Sequence, residues 1–416
     1  MKVVKFKYYD EFHCIGPECP ETCCQQWDIH FSKKDYLKYK NLKCSPKLKE
    51  ALNGCLVRNR ADDADESSHY AKIKFNEKGY CSLLDEKGLC MIHKELGESA
   101  LGFVCATFPR LQAEIGNEAY VFSCEITCPH VVEILMNHPE GLEIVEEDYD
   151  GSSSFVNKGM FSSPCTSSVW PGYPYYWIIK SAQIDILQNR SFSISERLLI
   201  LGFFSVKADE YIANSQGEKI DSLYGMILNN EFCQSIVDSL KTSQSDESAA
   251  QKSIDLFCRQ LYSVRHANKS ALISKFFELS AQSIDIDILE GDQKNQITFN
   301  YSMEKYFGNV GVFRGIELDR PYIFENILVN LAFVSPPYYG IFKSFFDLSV
   351  FYNTLKIALP ALLNKEKGNW TDTDLALAIS KSAKMILNSK IADLVTKADF
   401  ESNNSFDLPH IVFLIS

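Results

Sequence analysis

The apolar residues follow different patterns in two parts of the chain. After Tyr176 they recur at spacings of three and four, the repeat of an α-helix with one buried face. Up to residue 147 the apolar runs are short, and Gly, Pro and Cys interrupt them. The pattern predicts a mainly α fold, with an irregular cysteine-rich domain over 1–147 that has a few short strands, and a helical domain over 148–416. The predicted helical windows are 176–188, 194–214, 219–241, 250–282, 321–334, 340–364 and 371–397.

Local signals place several elements in the first domain. Ser32 is a predicted N-cap, because its hydroxyl can accept from the backbone of the following turn. Asp85 to Gly88 has the composition of a turn, and Gly116-Asn117 separates two predicted strands. Pro129 suits the first turn of a helix, where no backbone N–H is needed.

Charge narrows the class of protein. The formal net charge is -12, which argues against general nucleic-acid binding because that function needs a basic surface. No run approaches the ~20 apolar residues of a membrane helix, so no membrane association is expected. The first residues lack the pattern of a secretory signal, and we therefore expect a cytoplasmic protein.

The cysteines carry the candidate chemistry. The chain has 14, and 11 of them lie between Cys14 and Cys128. In a protein without a secretory signal, clustered cysteines are typical of metal ligands rather than disulfides.

Their spacing favours an iron–sulfur cluster. Structural zinc sites use two closely spaced cysteine pairs, whereas here Cys14, Cys19, Cys23 and Cys24 precede well-separated single cysteines. Zinc, redox-active dithiols and inert buried thiols remain alternatives. The radical S-adenosylmethionine spacing is not met, since Gln26 stands where its third cysteine would be. Cys23 and Cys24 are adjacent, so their side chains diverge and both are not expected to bind one cluster.

Several blocks resemble one family in order and approximate spacing. The run from Phe12 to Ile29 resembles the N-terminal signature of the flagellin lysine-N-methylase family, which is related to the cysteine-rich zinc- or iron-chelating domain proteins. The blocks at 81–84, 90–93, 96–98, 105–110 and 123–124 match later parts of that family. The resemblance covers residues 5–130 and extends to the helical remainder only by length and composition.

The resemblance implies a methyltransferase that moves methyl groups from S-adenosylmethionine to lysine ε-amines of flagellin and holds a [4Fe–4S] cluster. Arg110 is the candidate cofactor-binding residue, because a guanidinium can pair with a carboxylate of the cofactor or of a structural Glu. The alternative function is a non-catalytic iron–sulfur or zinc protein with a helical partner-binding surface. The ligands implied by the resemblance are Cys14, Cys19, Cys23, Cys24, Cys81, Cys90, Cys105 and Cys124.

Eight cysteines exceed the four that one cluster needs, so some are structural or a second metal is bound. Nothing in the chain supports a Rossmann-type cofactor site. The segment Gly308 to Gly315 only loosely resembles a glycine-rich nucleotide loop, and we predict an ordinary turn there.

Overall fold

The structure is a computed structural model of the chain. It describes residues 1–24, 29–60, 65–67, 69–77, 79–149, 165–241, 246–267, 271–290, 297–335, 337, 340–363, 370–387 and 408–415.

A four-stranded sheet is built from the two ends of the N-terminal part. Strand β1 (Lys2–Phe6) lies between β6 (Ala119–Cys124), to which it is parallel, and β7 (Ile144–Asp148), to which it is antiparallel. Strand β5 (Arg110–Ile115) pairs with β6 through the turn at Gly116, as predicted. Gly116 has a φ of +56°, and a side chain there would collide with the Tyr173 hydroxyl, so the turn requires glycine.

The intervening residues form a smaller unit. Three short strands lie in the order β2, β4, β3, and short helices surround them. The Ser32 hydroxyl accepts from the backbone N–H of Asp35 at 3.1 Å, which confirms the predicted N-cap. The elements are β2 (His30–Phe31), α1 (Lys33–Lys40), α2 (Pro46–Cys55), β3 (Leu56–Arg58), β4 (Ala71–Ile73), α3 (Met91–Leu96) and α4 (Phe103–Thr107).

Helices make up most of the remaining described chain, which confirms the mainly α prediction. Helix α5 (Pro129–Met136) begins at the predicted proline. The later elements are α6 (Tyr176–Gln188), α7 (Ile194–Ala213), α8 (Lys219–Ile227), α9 (Asn230–Lys241), α10 (Asp246–Ala267), α11 (Ala271–Ser283), β8 (Asp287–Glu290), β9 (Ile297–Asn300), α12 (Met303–Asp319), α13 (Pro321–Val334), α14 (Ile341–Leu362), α15 (Asp372–Leu387) and α16 (Leu408–Ile411).

The turn predicted at Gly308 to Gly315 was wrong, because the whole segment lies inside α12. A Cβ added at Gly308, Gly311 or Gly315 would meet no atom within 4 Å, so the three glycines lie on the open side of the helix. The opposite side buries Phe313 and Ile316 in the core. Packing of that face outweighs the helix-weakening effect of glycine.

One hydrophobic core contains residues from both predicted domains. It includes Phe6 and Val121 of the four-stranded sheet together with Phe324 and Phe345 of the helical part. The boundary predicted after residue 147 stays a prediction. Most of the Ser-, Gly- and Pro-rich segment that follows it, residues 150–164, lies outside the described residues.

None of the helices in the described part of the chain has the length and apolar character to cross a bilayer.

Candidate metal centre

The structure gathers four of the eight predicted ligands into one group, which we call the first tetrad: Cys24, Cys81, Cys90 and Cys105. Every pair of these four thiols lies close enough for the charge of one to affect the pKa of the other. All four belong to, or pack against, the small core of the unit between β2 and α4. Cysteines separated by up to 81 positions therefore meet at one place.

Backbone contacts fix this meeting. The backbone N–H of Cys81 donates to the carbonyl of Cys24 at 2.8 Å. Cys90 is bridged to Leu84 at the end of the turn predicted at Asp85 to Gly88, and it is the N-cap of α3. The Asp85 carboxylate holds this turn by accepting from the backbone N–H groups of Lys87 and Leu89. Cys105 lies in the middle of α4.

Burial opposes ionisation of most of the tetrad. It raises the pKa of the Cys81 thiol to about 12 and also raises the pKa values of Cys90 and Cys105. A hydrogen bond from Cys23 lowers the pKa of Cys24. Because the thiolate is the form that binds metal, a positively charged centre would offset the cost of ionising these buried thiols.

The adjacent thiols of Cys23 and Cys24 are hydrogen-bonded to each other, which differs from the divergence expected of neighbouring side chains, and each also lies near other cysteines. The charge of Cys24 acts on the first tetrad, whereas the pKa of Cys23 responds to Cys14 and Cys128. Cys14 and Cys23 are exposed, and Cys19 is half-buried with its thiol donating to the carbonyl of Glu21 at 3.1 Å.

Cys124 occupies a different environment. Its side chain is fully buried in the large core at the end of β6, and burial raises its pKa. Its backbone N–H donates to the Tyr8 hydroxyl at 3.2 Å, and its carbonyl accepts from Asn330 at 3.0 Å. Its role as a ligand stays a prediction.

Arg110 binds the chain itself in this structure. Its Nη2 donates to the carbonyl of Phe12 at 3.2 Å, and its guanidinium lies 5.0 Å from the centre of the Phe12 ring. Arg110 thus holds the residues that lead into Cys14. Its proposed contact with a cofactor stays a prediction.

The first tetrad offers four thiols, a donor set that iron–sulfur clusters and zinc sites both use. Among the described residues, no three Cys, His, Asp or Glu side chains are arranged to hold a single metal ion. Around one tetrahedral zinc the ligand sulfurs lie about 3.8 Å apart, given a Zn–S distance of about 2.3 Å. The ligands of a [4Fe–4S] cluster bind different irons and are spaced more widely than those of one ion, and four thiols are the donors that such a cluster needs.

Sequence reasoning left out Cys128, which the structure places beside Cys14, Cys19 and Cys23. The available signal was the Cys128-Pro129 pair, since a cysteine followed by proline ends the cysteine run of bacterial ferredoxins. Trp27, part of the N-terminal signature, lies outside the described residues.

The helical part defines the class of protein. Residues 181–414, more than half of the chain, match the FliB lysine N-methylase C-terminal domain. The chain therefore belongs to the FliB lysine N-methylase family, which confirms the resemblance seen in its N-terminal blocks.

Three relatives show the extent of similarity. The chain is 30% identical over 141 residues to the flagellar biosynthetic protein FliU of Salmonella muenchen, covering 34% of this chain and 80% of FliU. It is 30% identical over 146 residues to the lysine-N-methylases of Salmonella typhimurium and Salmonella choleraesuis, covering 34% of this chain and 34% of each enzyme. The alignment thus spans about a third of those lysine-N-methylases. No solved structure matches the chain.

Proposed function

We propose that this protein is a methyltransferase that moves methyl groups from S-adenosylmethionine to lysine ε-amines of flagellin. The observation that carries the proposal is the match of residues 181–414 to a lysine N-methylase domain. The flagellar name of one relative supports flagellin as the substrate. The alignments with these relatives cover only part of each chain.

The chemistry sets the requirements on the site. The lysine nitrogen attacks the methyl carbon, a C–N bond forms, and the S–C bond breaks to leave S-adenosylhomocysteine. The attacking amine must first lose a proton, because an ammonium has no lone pair, and the reference pKa of lysine is about 10.4. Desolvation of the amine in a closed site would lower that pKa.

The cysteine-rich part would hold the cofactors. Cys24, Cys81, Cys90 and Cys105 would bind a [4Fe–4S] cluster, and zinc is the alternative metal. Such a cluster supplies an iron with Lewis-acid character when bound. Arg110 would bind the carboxylate of S-adenosylmethionine through its fork of N–H donors.

The test is methylation of purified flagellin. We expect mass spectrometry of flagellin incubated with anaerobically purified protein and S-adenosylmethionine to show lysines carrying one or more added methyl groups. Cys90→Ser should abolish the reaction, whereas Cys233→Ser, which alters a buried thiol in α9, should retain it. Unmodified flagellin in the presence of fully metal-loaded protein would refute the proposal and favour the non-catalytic metal-binding alternative.

The role of Arg110 is tested separately. Arg110→Ala should weaken binding of S-adenosylmethionine at least tenfold in equilibrium dialysis, and Arg110→Lys should restore little, because lysine lacks the planar fork. Iron content is measured in the same samples. Unchanged cofactor binding would leave Arg110 with the structural role of holding Phe12.

A further inference from the structure

The two residues that precede Cys14 pack against the first turn of α5. The edge of the His13 ring contacts His130 with ring centres 5.7 Å apart, and the Phe12 ring lies 6.0 Å from the same histidine. His130 is two residues after Cys128, the N-cap of α5. The residues on either side of this contact, Cys14 and Cys128, are therefore brought together.

The thiols near this contact lie close enough for their charges to act on one another. Burial, together with the charges of Cys19 and Cys14, raises the pKa of Cys128 to about 12. The pKa of Cys23 is raised chiefly by its hydrogen bond with Cys24 and also by the charges of Cys14 and Cys128. Cys14, Cys19, Cys23 and Cys128 thus form a second group, which we call the second tetrad.

The two tetrads share one structural device. Cys90 and Cys128 are each the N-cap of a helix, α3 and α5 respectively. Neither side chain makes a capping hydrogen bond, but the nearby N–H groups lower the thiol pKa against the larger effect of burial, those of Ile92 and His93 for Cys90 and those of His130 and Val131 for Cys128. Donors of this kind stabilise thiolate ligands and tune bound clusters.

We propose that Cys14, Cys19, Cys23 and Cys128 bind a second iron–sulfur cluster next to the one proposed at the first tetrad. The arrangement explains why the chain has more cysteines than one cluster needs. It also explains the adjacent pair, because Cys23 would bind one cluster and Cys24 the other. Two-cluster ferredoxins divide a cysteine run in the same way: the fourth cysteine binds the other cluster, and a cysteine followed by proline takes part.

This proposal shares with the proposed function only the binding of iron through the cysteine-rich part, and it does not depend on methyl transfer. It assigns Cys128, which the family resemblance did not include, in place of Cys124. The two residues are four positions apart and both are buried, so they form a matched pair for mutation.

The experiment measures iron and sulfide per chain in the full-length protein after anaerobic reconstitution with ferrous iron and sulfide. The wild type should bind about eight irons, and Cys128→Ser and Cys14→Ser should each bind about four. Cys124→Ser should keep about eight. Cys90→Ser should also bind about four, because it removes the other cluster, and Cys14→Ser combined with Cys90→Ser should bind almost none.

Paramagnetic resonance of the reduced protein gives a second readout. Two clusters held by neighbouring residues should produce a broadened, spin-coupled signal in the wild type, and Cys14→Ser should replace it with the simple signal of one cluster. Cys14 is exposed, so this variant removes a ligand without opening a cavity in the core. It keeps the test valid if the buried Cys128→Ser variant fails to fold.

Several results would overturn the proposal. A wild type with about four irons, all lost in Cys90→Ser and none in Cys14→Ser, would leave the single cluster of the proposed function and remove the second. Loss of half the iron in Cys124→Ser but not in Cys128→Ser would overturn the assignment of Cys128. Zinc bound through the second tetrad would overturn the cluster, and a wild type that binds no metal would overturn both metal proposals.

Discussion

The side-chain amide of Asn330 donates to the backbone carbonyl of Cys124 at 3.0 Å. The amide oxygen of the same residue accepts from Ser123 at 2.6 Å and from the Tyr8 hydroxyl. Asn330 lies in α13 and is fully buried. One side chain therefore joins the helical part to the strand that leads from the cysteine-rich unit toward Cys128.

Loss of this side chain should destabilise the protein strongly. Asn330→Ala would remove the side-chain donor to the Cys124 carbonyl and the acceptor shared by the buried Ser123 and Tyr8 hydroxyls, which would keep their bond to each other. A buried polar group that loses its partner costs about 1–3 kcal/mol. We expect urea denaturation to show a decrease of about 2–4 kcal/mol in the free energy of unfolding. Asn214→Ala, at the exposed end of α7, is the control. Equal effects of the two variants would contradict the linking role of Asn330.

A buried ion pair holds α7 against α13. Glu325 accepts from Arg197 at 2.7 Å and from Arg190 at 2.8 Å, and both Glu325 and Arg197 are buried. Glu325→Gln should lower the free energy of unfolding by about 3–5 kcal/mol, because Arg197 would remain buried without its counter-charge. Asp285→Asn, which breaks the exposed pair with Lys305, should cost less than about 1 kcal/mol. A loss of less than about 1 kcal/mol in Glu325→Gln would show that water reaches Arg197.

The buried Lys356 predicts a pH dependence of stability. Burial, assisted by the charge of Arg314 and opposed by that of Glu317, lowers its pKa from 10.5 to about 7. Between these pH values the unfolded chain holds the proton and the folded chain does not, so this residue makes stability rise with pH. Below about pH 7 both states hold the proton, and the full cost of burying the charge is present.

Lys356→Met removes that cost and its pH dependence. The stability of the variant relative to the wild type should be greatest near pH 7 and fall as the pH rises toward 9, by at most about 1.4 kcal/mol per pH unit. Taking the difference removes the contributions of the buried thiols and tyrosines, which both proteins share. Urea denaturation at several pH values measures how the free energy of unfolding changes with pH. The exposed-site variant Lys305→Met is the control. A pH-independent difference for Lys356→Met would contradict the lowered pKa.

Metal removal should affect the cysteine-rich unit selectively. The core of the unit between β2 and α4 is small, and metal binding to such a unit contributes to its folding energy. After chelation, we expect hydrogen exchange to accelerate in β4 and α3 and to remain slow in α13 and α14. Cys90→Ser should reproduce the effect without a chelator. Uniform exchange rates with and without metal would show that this unit is stable on its own core.

The amino-acid sequence was sufficient for features that depend on neighbouring residues. Helical spacing predicted α6 at its observed bounds, and local chemistry predicted the Ser32 cap, the turn at Gly116 and the start of α5 at Pro129. The order of the cysteine blocks was enough to identify the family. The cap, turn and helix signals each involve only a few neighbouring residues. The order of the cysteine blocks is a property of the chain itself and is the same before and after folding.

Only the tertiary structure decided features that depend on distant residues. It showed that α12 is helical despite three glycines, because its opposite face is buried in the core. It showed that Cys24 lies near Cys105 while its thiol is hydrogen-bonded to Cys23, and that Cys128 lies near Cys14. Spacing along the chain could not reveal this, because the direction of each thiol is set by backbone contacts such as that between Cys81 and Cys24 and by the packing of His13 on His130.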